Sequence, residues 1–326
     1  MNPLSERTWY RAIACTLTMI LSVGLLYGVY PPLLPTMIEQ DWLTRSQAGY
    51  IAAVTAIGTL LGAFACTALG RKYNLGIAAR VFLLIGLTSL MLSTIKLGPV
   101  WLGINRFAAG FSLAGAGMTA ATLITQGARD HQRGRLIALL GLGAGFGSIM
   151  MALTLPLPLI DIKASAMNGW LYAAILSALC LVMAWPGLRT RLGAVEFLDK
   201  KHSRSIHTKR LVILSICYGT MTIACTPISV YLSTYIHDEH KASIAFSTMA
   251  YAIAGVGFAS GGYICNYIFV RLIGRYASLI ATLAVGLGAT LLIIFTDVLW
   301  VDLLASFLIG LTHSGCSALR THGVLK

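Results

Sequence analysis

Charge is what this chain has least of. Only 11% of its 326 residues are Asp, Glu, Lys or Arg, against about 25% in a soluble globular chain. With 57% hydrophobic residues and a mean hydropathy of +0.79, this excludes a soluble domain. It predicts an all-α, polytopic membrane protein. The short alternating segments of a membrane β-barrel are also missing; the apolar runs are about 20 residues long and unbroken. Acids are scarcer than bases, 11 against 24. Glu39, Asp41, Asp161, Asp238, Glu239, Asp297 and Asp302 all read as loop or span-edge residues. No carboxylate is therefore expected inside a span, where one would mark an ion pathway.

Other absences exclude whole chemistries. There is no CxxC pair. The seven cysteines (Cys15, Cys66, Cys180, Cys217, Cys225, Cys265 and Cys316) sit in apolar segments, so neither a disulfide framework nor a metal site is expected. There is no GxxxxGK[ST] loop to cradle ATP phosphates. Arg7 and Arg11 precede an apolar stretch, but the next span follows at once. The first helix is therefore read as retained rather than cleaved. No catalytic cluster is visible, so neither an enzyme nor a cofactor is expected. The nearest cluster, His237-Asp238-Glu239-His240, reads as a solvated turn. The net charge of +13 is spread over alternate loops, and no basic face with polar surroundings marks a nucleic-acid partner.

What is present is a series of ten apolar spans, expected near 11–36, 46–69, 76–95, 99–128, 135–160, 167–187, 210–236, 243–269, 275–296 and 298–319. One long polar connection divides them six to four. The expected units are a six-helix bundle over 1–187, a cytoplasmic linker over 188–209 and a four-helix bundle over 210–326. All but five of the 24 basic residues fall on one side if the N-terminus is inside; the exceptions are Arg45, Lys96, Lys163, Lys241 and Arg106. That asymmetry predicts a multi-pass protein of the inner membrane with both termini cytoplasmic.

A shift of 200 residues superposes the two bundles. Gly62 falls on Gly262, Arg71 on Arg271, Gly86 on Gly286, Phe107 on Phe307, Gly110 on Gly310 and Gly115 on Gly315. A parallel repeat of six spans is a transporter architecture. A complete second bundle would run to about residue 386, so the last two helices are expected to be missing through truncation, with a ten-helix variant as the alternative.

Arg106 is the sharpest functional candidate. It lies about seven residues past Pro99, roughly 10 Å inside the helix at ~1.5 Å per residue. An Arg that deep must face protein or a watery cavity. It reads either as a ligand for an anionic group or as a coupling and structural residue. Asn105 is its neighbour. Tyr27 and Tyr30, three residues apart, are read as pointing to different faces. Either can hydrogen-bond a substrate or serve as an interfacial aromatic. Pro32 and Pro35, with Pro31, are expected to interrupt the outer end of the first helix, as a gate or as its end. Tyr218 and His313 are polar groups of the second bundle, and His313 can titrate near neutrality. Arg133 and Arg135 are expected in a cytoplasmic loop, as an inner gate or as orienting charge. The stripe Gly110, Ala114, Gly117, Ala121 reads as helix packing, as do Gly141, Gly145 and Ala152.

Leu102-x-x-x-Arg106-x-x-x-Gly110-x-x-x-Ala114 resembles the fourth-helix motif of the major facilitator superfamily, with Ala109 and Ser112 where the pattern usually has Gln and Gly. Gly141-x-x-x-Gly145 resembles the start of its antiporter motif, with Phe146 in place of Pro. Gly70-Arg71-Lys72-Tyr73 keeps the basic pair of the turn after the second helix and lacks its acid. Tyr30-Pro31-Pro32-Leu33-Leu34-Pro35-x-Met37, followed by Ser46-Gln47-Ala48-Gly49-Tyr50, is similar to the YbfB/YjiJ-type branch, with Tyr27 where that branch typically has an Arg. The resemblance implies a two-bundle fold whose first, fourth, seventh and tenth helices line a central cavity. It implies secondary transport of a small organic solute by alternating access. Arg106 and the lack of acids favour an anionic or zwitterionic solute. A truncated, non-transporting remnant is the alternative. The expected partners are the solute, the bilayer and, as an option, a coupling proton.

Overall fold

Burying backbone in lipid leaves only its own helical hydrogen bonds to satisfy it, and the chain obeys. The computed structural model describes residues 6–72, 74–126, 130–155, 165–188, 226–296 and 298–323. The first rod comprises α1 (Glu6–Met19), a π-helical stretch (Ile20–Tyr27) and α2 (Tyr30–Glu39). Then follow α3 (Arg45–Lys72), α4 (Leu75–Ser93), α5 (Pro99–Thr125), α6 (Asp130–Thr154) and α7 (Ala166–Ala184). The second half has α8 (226–239), α9 (Ile244–Tyr263) running through a π-helical stretch (Ile264–Phe269) into α10 (Val270–Ile273), α11 (Arg275–Phe295) and α12 (Leu299–Gly323). Among the described residues, nine helices are long and apolar enough to cross a membrane. Of the seventh expected span, only residues 226–239 are described.

Local chemistry sets the starts. Asn74, Ser165 and Ser243 are extended residues whose side chains accept from the amides of Gly76, Met167 and Phe246. Each satisfies a backbone donor that the helix itself cannot. Pro99 opens α5 after Gly98, which takes φ +96°, a conformation that favours glycine.

Helix pairs approach through glycines, and the two halves do so alike. Gly58 and Gly62 of α3 lie against the backbone of Phe107 and Phe111 on α5. Gly257 and Gly261 of α9 lie against Phe307 and Leu311 on α12. Gly86 meets Ser112, and Gly286 meets Thr312. Structurally, Gly62 corresponds to Gly261, so the expected pairing with Gly262 is one residue out of step. The halves meet where α6 runs along α9, with Gly145 against the Ala259 backbone. Gly147 of α6 also crosses the π-helical stretch, where an added Cβ would stand 2.9 Å from the Gly24 Cα. Gly141 has open space around it, while Ala152 is buried beside Tyr251.

Large apolar side chains cover the outside: Tyr50, Ile57 and Phe64 on α3, and Tyr276, Ile280 and Ile294 on α11 are exposed. In a lipid solvent this exposure costs nothing, which suits a bilayer as the surrounding phase.

Two expectations about elements need correction. The prolines do not end the first helix: α2 runs from Tyr30 to Glu39 with Pro35 inside it. The irregularity lies one turn earlier, because a proline removes the donor for the carbonyl of the preceding turn. Arg133 and Arg135 do not lie in a loop; both are in the opening turns of α6, and Arg135 is exposed. Asp302 is at the edge of its span, in the first turn of α12, and there it is fully buried, its carboxylate 2.7 Å from His240 Nε2.

Candidate functional site

The site is built on a carbonyl near the end of the π-helical stretch. Within it hydrogen bonds span five residues, as from the Gly28 amide to the Val23 carbonyl (3.1 Å). The next bond, from the Val29 amide to the Leu25 carbonyl (3.1 Å), spans four. Arg106 of α5 reaches the following carbonyl: its Nη2 donates to that of Leu26 at 2.9 Å.

The rest of the guanidinium lies among aromatic rings. Arg106 Cζ stands 5.4 Å from the Tyr30 ring centroid and 5.5 Å from that of Trp170 on α7. The hydroxyls of Tyr27, Tyr30 and Tyr251 are within electrostatic reach. Tyr251 lies on α9, so the second half contributes to the cluster. Arg106 is only 2% exposed, and among the described residues no carboxylate pairs with it. Ring faces attract a cation by about 0.5–2 kcal/mol each, less than burying an unpaired charge costs.

Three buried donors in this cluster lack an acceptor: Arg106 Nε, Arg106 Nη1 and Trp170 Nε1. All are N–H groups, so what would satisfy them is an acceptor, best an anionic one. Tyr27 is half-buried, and so less enclosed than Tyr30 and Tyr251.

The residues singled out from sequence divide as follows. Arg106, Tyr27 and Tyr30 come together. The reading of the two tyrosines on different faces is corrected: residues three apart are neighbours on a helix face, and both hydroxyls are within electrostatic reach of Arg106. Nor is Tyr30 an interfacial aromatic: it is 4% exposed, and its hydroxyl donates to the Ala48 carbonyl at 3.1 Å. Asn105 turns back to its own helix, donating to the Trp101 carbonyl at 3.0 Å. His313 stacks on Phe258 with centroids 5.7 Å apart, inside the second half. Tyr218 lies outside the described residues. Pro32 and Pro35 are buried in α2. Trp170 and Tyr251 were not anticipated. A Trp five residues into a span reads as an interfacial anchor, and one Tyr in α9 carries no pattern.

Tyr30→Phe separates the ring from the hydroxyl. It is expected to lower stability by about 1 kcal/mol through the lost hydrogen bond, read as a lower melting temperature in detergent. It leaves the Arg106–ring contact in place.

The segment 237–240 is also not the solvated turn expected. His237 Nε2 is 2.9 Å from Glu39 of α2, and Asp238 accepts from Arg45 of α3 at 2.6 Å. Tyr231 of α8 donates to the Arg45 carbonyl at 2.8 Å. These contacts join the two halves at the end expected to face outward.

The comparisons with known proteins agree with this architecture. The solved nucleoside transporter NupG superposes with a TM-score of 0.69 at 13% identity, over 98% of this chain and 82% of that one. A bacterial homologue of the human lysosomal transporter Spinster, inward-facing and unoccupied, superposes with a TM-score of 0.68 at 15% identity, over 98% and 75% of the chains. The xylose transporter XylE from E. coli, in a partially occluded inward-open conformation, gives 0.66 at 16% identity, over 98% and 87%. In sequence, the niacin transporter NiaP of Acinetobacter baylyi is 30% identical over 146 residues, 42% of this chain. The match spans only 33% of that relative. Residues 19–324 match the family described as uncharacterised MFS-type transporter YbfB. A match over most of the chain, joined to the two-bundle fold, places the protein in that YbfB-type family of the major facilitator superfamily.

Proposed function

We propose that this protein is a secondary transporter that carries a small anionic or zwitterionic organic solute by alternating access. The observation that carries the reading is the set of unsatisfied donors around Arg106. A buried cation with two free N–H groups and a neighbouring indole N–H offers a carboxylate its natural partners. The site is made by the first rod, α5, α7 and α9, so it draws on both halves. A rocking motion of 1–187 against 210–326 would therefore make and break it. The 188–209 segment serves as the cytoplasmic linker, and both termini lie inside. The name of the niacin transporter relative fits an anionic solute, since niacin is a carboxylic acid.

The test is uptake into proteoliposomes of four labelled solutes: an aromatic monocarboxylate, a zwitterionic amino acid, a neutral sugar and an organic cation. Saturable uptake of the first or second, with competition among carboxylates, is the expected result. Preferred uptake of the sugar or cation overturns the choice of solute. Uptake of none, by protein that remains folded, returns the chain to a non-transporting role.

A further inference from the structure

The charges around Arg106 count the charges of its ligand. Among the described residues only two charged side chains are buried, Arg106 and Asp302, and Asp302 is held by His240 of the turn after α8. The site therefore offers one positive charge and no acid beside it. A ligand with a second carboxylate finds no second cation. A ligand with an ammonium brings it next to the guanidinium with no acid to offset it. Either one adds a buried charge without a partner, which is costly. A single negative group is what the site can neutralise.

The rings around Arg106 shape what that group is attached to. The guanidinium lies over the ring of Tyr30 at 5.4 Å and over that of Trp170 at 5.5 Å. These rings belong to the first rod and to α7, and they make no ring contact with each other, so they bound the guanidinium on separate sides. Tyr27 and Tyr251 lie within electrostatic reach of it and of each other. A guanidinium has five N–H donors, and the Leu26 carbonyl takes one of them. An edge of two nitrogens is left, and Trp170 Nε1 is a third buried donor without an acceptor. A carboxylate bound to that edge shares the guanidinium plane. A ring conjugated with the carboxylate stays in the plane. A tetrahedral carbon turns its substituents out of it, toward the faces of Tyr30 and Trp170.

We propose that the solute is a flat aromatic monocarboxylate, held through its carboxylate by Arg106 and Trp170 Nε1, with its ring among the aromatic side chains around Arg106. The inference rests on the transport reading and narrows its solute, excluding the zwitterion. Arg106 is only 2% exposed in this conformation. Tyr251 belongs to the second half, so movement of that half opens the site to the solute. Ring-to-ring contact favours an aromatic ligand by about 2- to 10-fold beyond its burial.

Calorimetry on the full chain in nanodiscs at about pH 7, where carboxylic acids are ionised, tests this with four probes: benzoate, cyclohexanecarboxylate, benzamide and phenylalanine. Benzoate and cyclohexanecarboxylate match in charge and carbon number and differ in flatness. Benzoate is expected to bind, with cyclohexanecarboxylate at least about 2- to 10-fold weaker. Benzamide, which keeps the ring and loses the charge, is expected to bind at least about 30-fold more weakly than benzoate, and phenylalanine more weakly than cyclohexanecarboxylate. Cyclohexanecarboxylate or phenylalanine binding as tightly as benzoate overturns this inference and leaves carriage of an anionic or zwitterionic solute standing. Benzamide binding as tightly as benzoate overturns both. No binding of benzoate by folded protein overturns this inference whatever the other probes do. Two substitutions separate the indole N–H from its ring. Trp170→Phe is expected to weaken both carboxylates alike, by about 10- to 150-fold, and to keep their ratio. Trp170→Leu is expected to bring the ratio toward one. A ratio unchanged in Trp170→Leu overturns the part given to that ring, and if this variant does not fold, the wild-type ratio and Trp170→Phe still decide. Because the readout is binding, tight benzoate in protein that moves no solute counts against the transport reading alone.

Discussion

Arg106→Met is expected to abolish solute uptake while leaving the protein as stable as the wild type or more so. The two effects come from the same fact. In the wild type the guanidinium is buried with one backbone acceptor, at Leu26, and two nitrogens without partners. Removing one partner of a buried, hydrogen-bonded charge pair costs about 2–5 kcal/mol of binding. That corresponds to roughly 30- to 4,000-fold weaker affinity for a carboxylate solute. Without solute the same charge is a burden, because a well-packed apolar residue in place of a buried ion is often neutral or stabilising. Only the clip to the Leu26 carbonyl is lost, about 1.5–3 kcal/mol for a bond to a charged donor. Relief of the desolvation cost offsets it. Arg106→Lys is expected to fail as well, since an ammonium offers no bidentate fork. Binding by calorimetry and melting by intrinsic fluorescence, on one preparation, check both halves. If Arg106 is a structural clip instead, melting temperature and binding fall together.

Much of this arrangement is legible in the sequence, and the illegible parts have physical reasons. Long apolar runs show the spans because backbone in lipid has no alternative to a helix. Arg106 stands out because it is the lone charge in its run. Trp170 and Tyr251 do not, since what joins them to Arg106 is the crossing of three separate helices, and no local pattern encodes that. The π-helical stretch is equally hidden. Apart from Ser22 and Tyr27 its residues are apolar, and the signal it leaves, Pro31-Pro32, stands after the irregularity. Asp302 stands at the edge of its span as its position predicts, but a carboxylate in a first turn looks solvated in one dimension, and only the fold reveals its burial against His240. The turn 237–240 looks like solvated charge because each of its partners lies on a different helix.

The glycine stripe of α5 gives the sharpest separation of sequence pattern from structure. Gly110 and Gly117 both belong to the stripe, but their surroundings differ. A Cβ on Gly110 would run into the Thr55 carbonyl oxygen, with the Thr59 hydroxyl at 2.9 Å and the Thr55 carbonyl carbon at 3.0 Å. Those backbone atoms cannot move without separating α3 from α5. At Gly117 the nearest atom is the sulfur of Met19, 3.8 Å away, an ordinary contact with a flexible side chain. Gly110→Val is therefore expected to cost at least the 1–3 kcal/mol of an overpacked core. That is a large share of a total stability of about 5–15 kcal/mol. The measurable result is a loss of folded protein in the membrane and an early melt. Gly117→Ala is expected to cost little. It also removes a flexible glycine from a helix interior, which favours the helix by up to about 1 kcal/mol. The repeat extends the argument: Gly310 meets the Ala254 carbonyl as Gly110 meets that of Thr55, with the Phe258 amide at 2.9 Å. Gly310→Val should damage the second half as Gly110→Val damages the first. If both are tolerated, the close approach of α3 to α5 and of α9 to α12 is not what holds each half together. The structure would then have to open at both crossings.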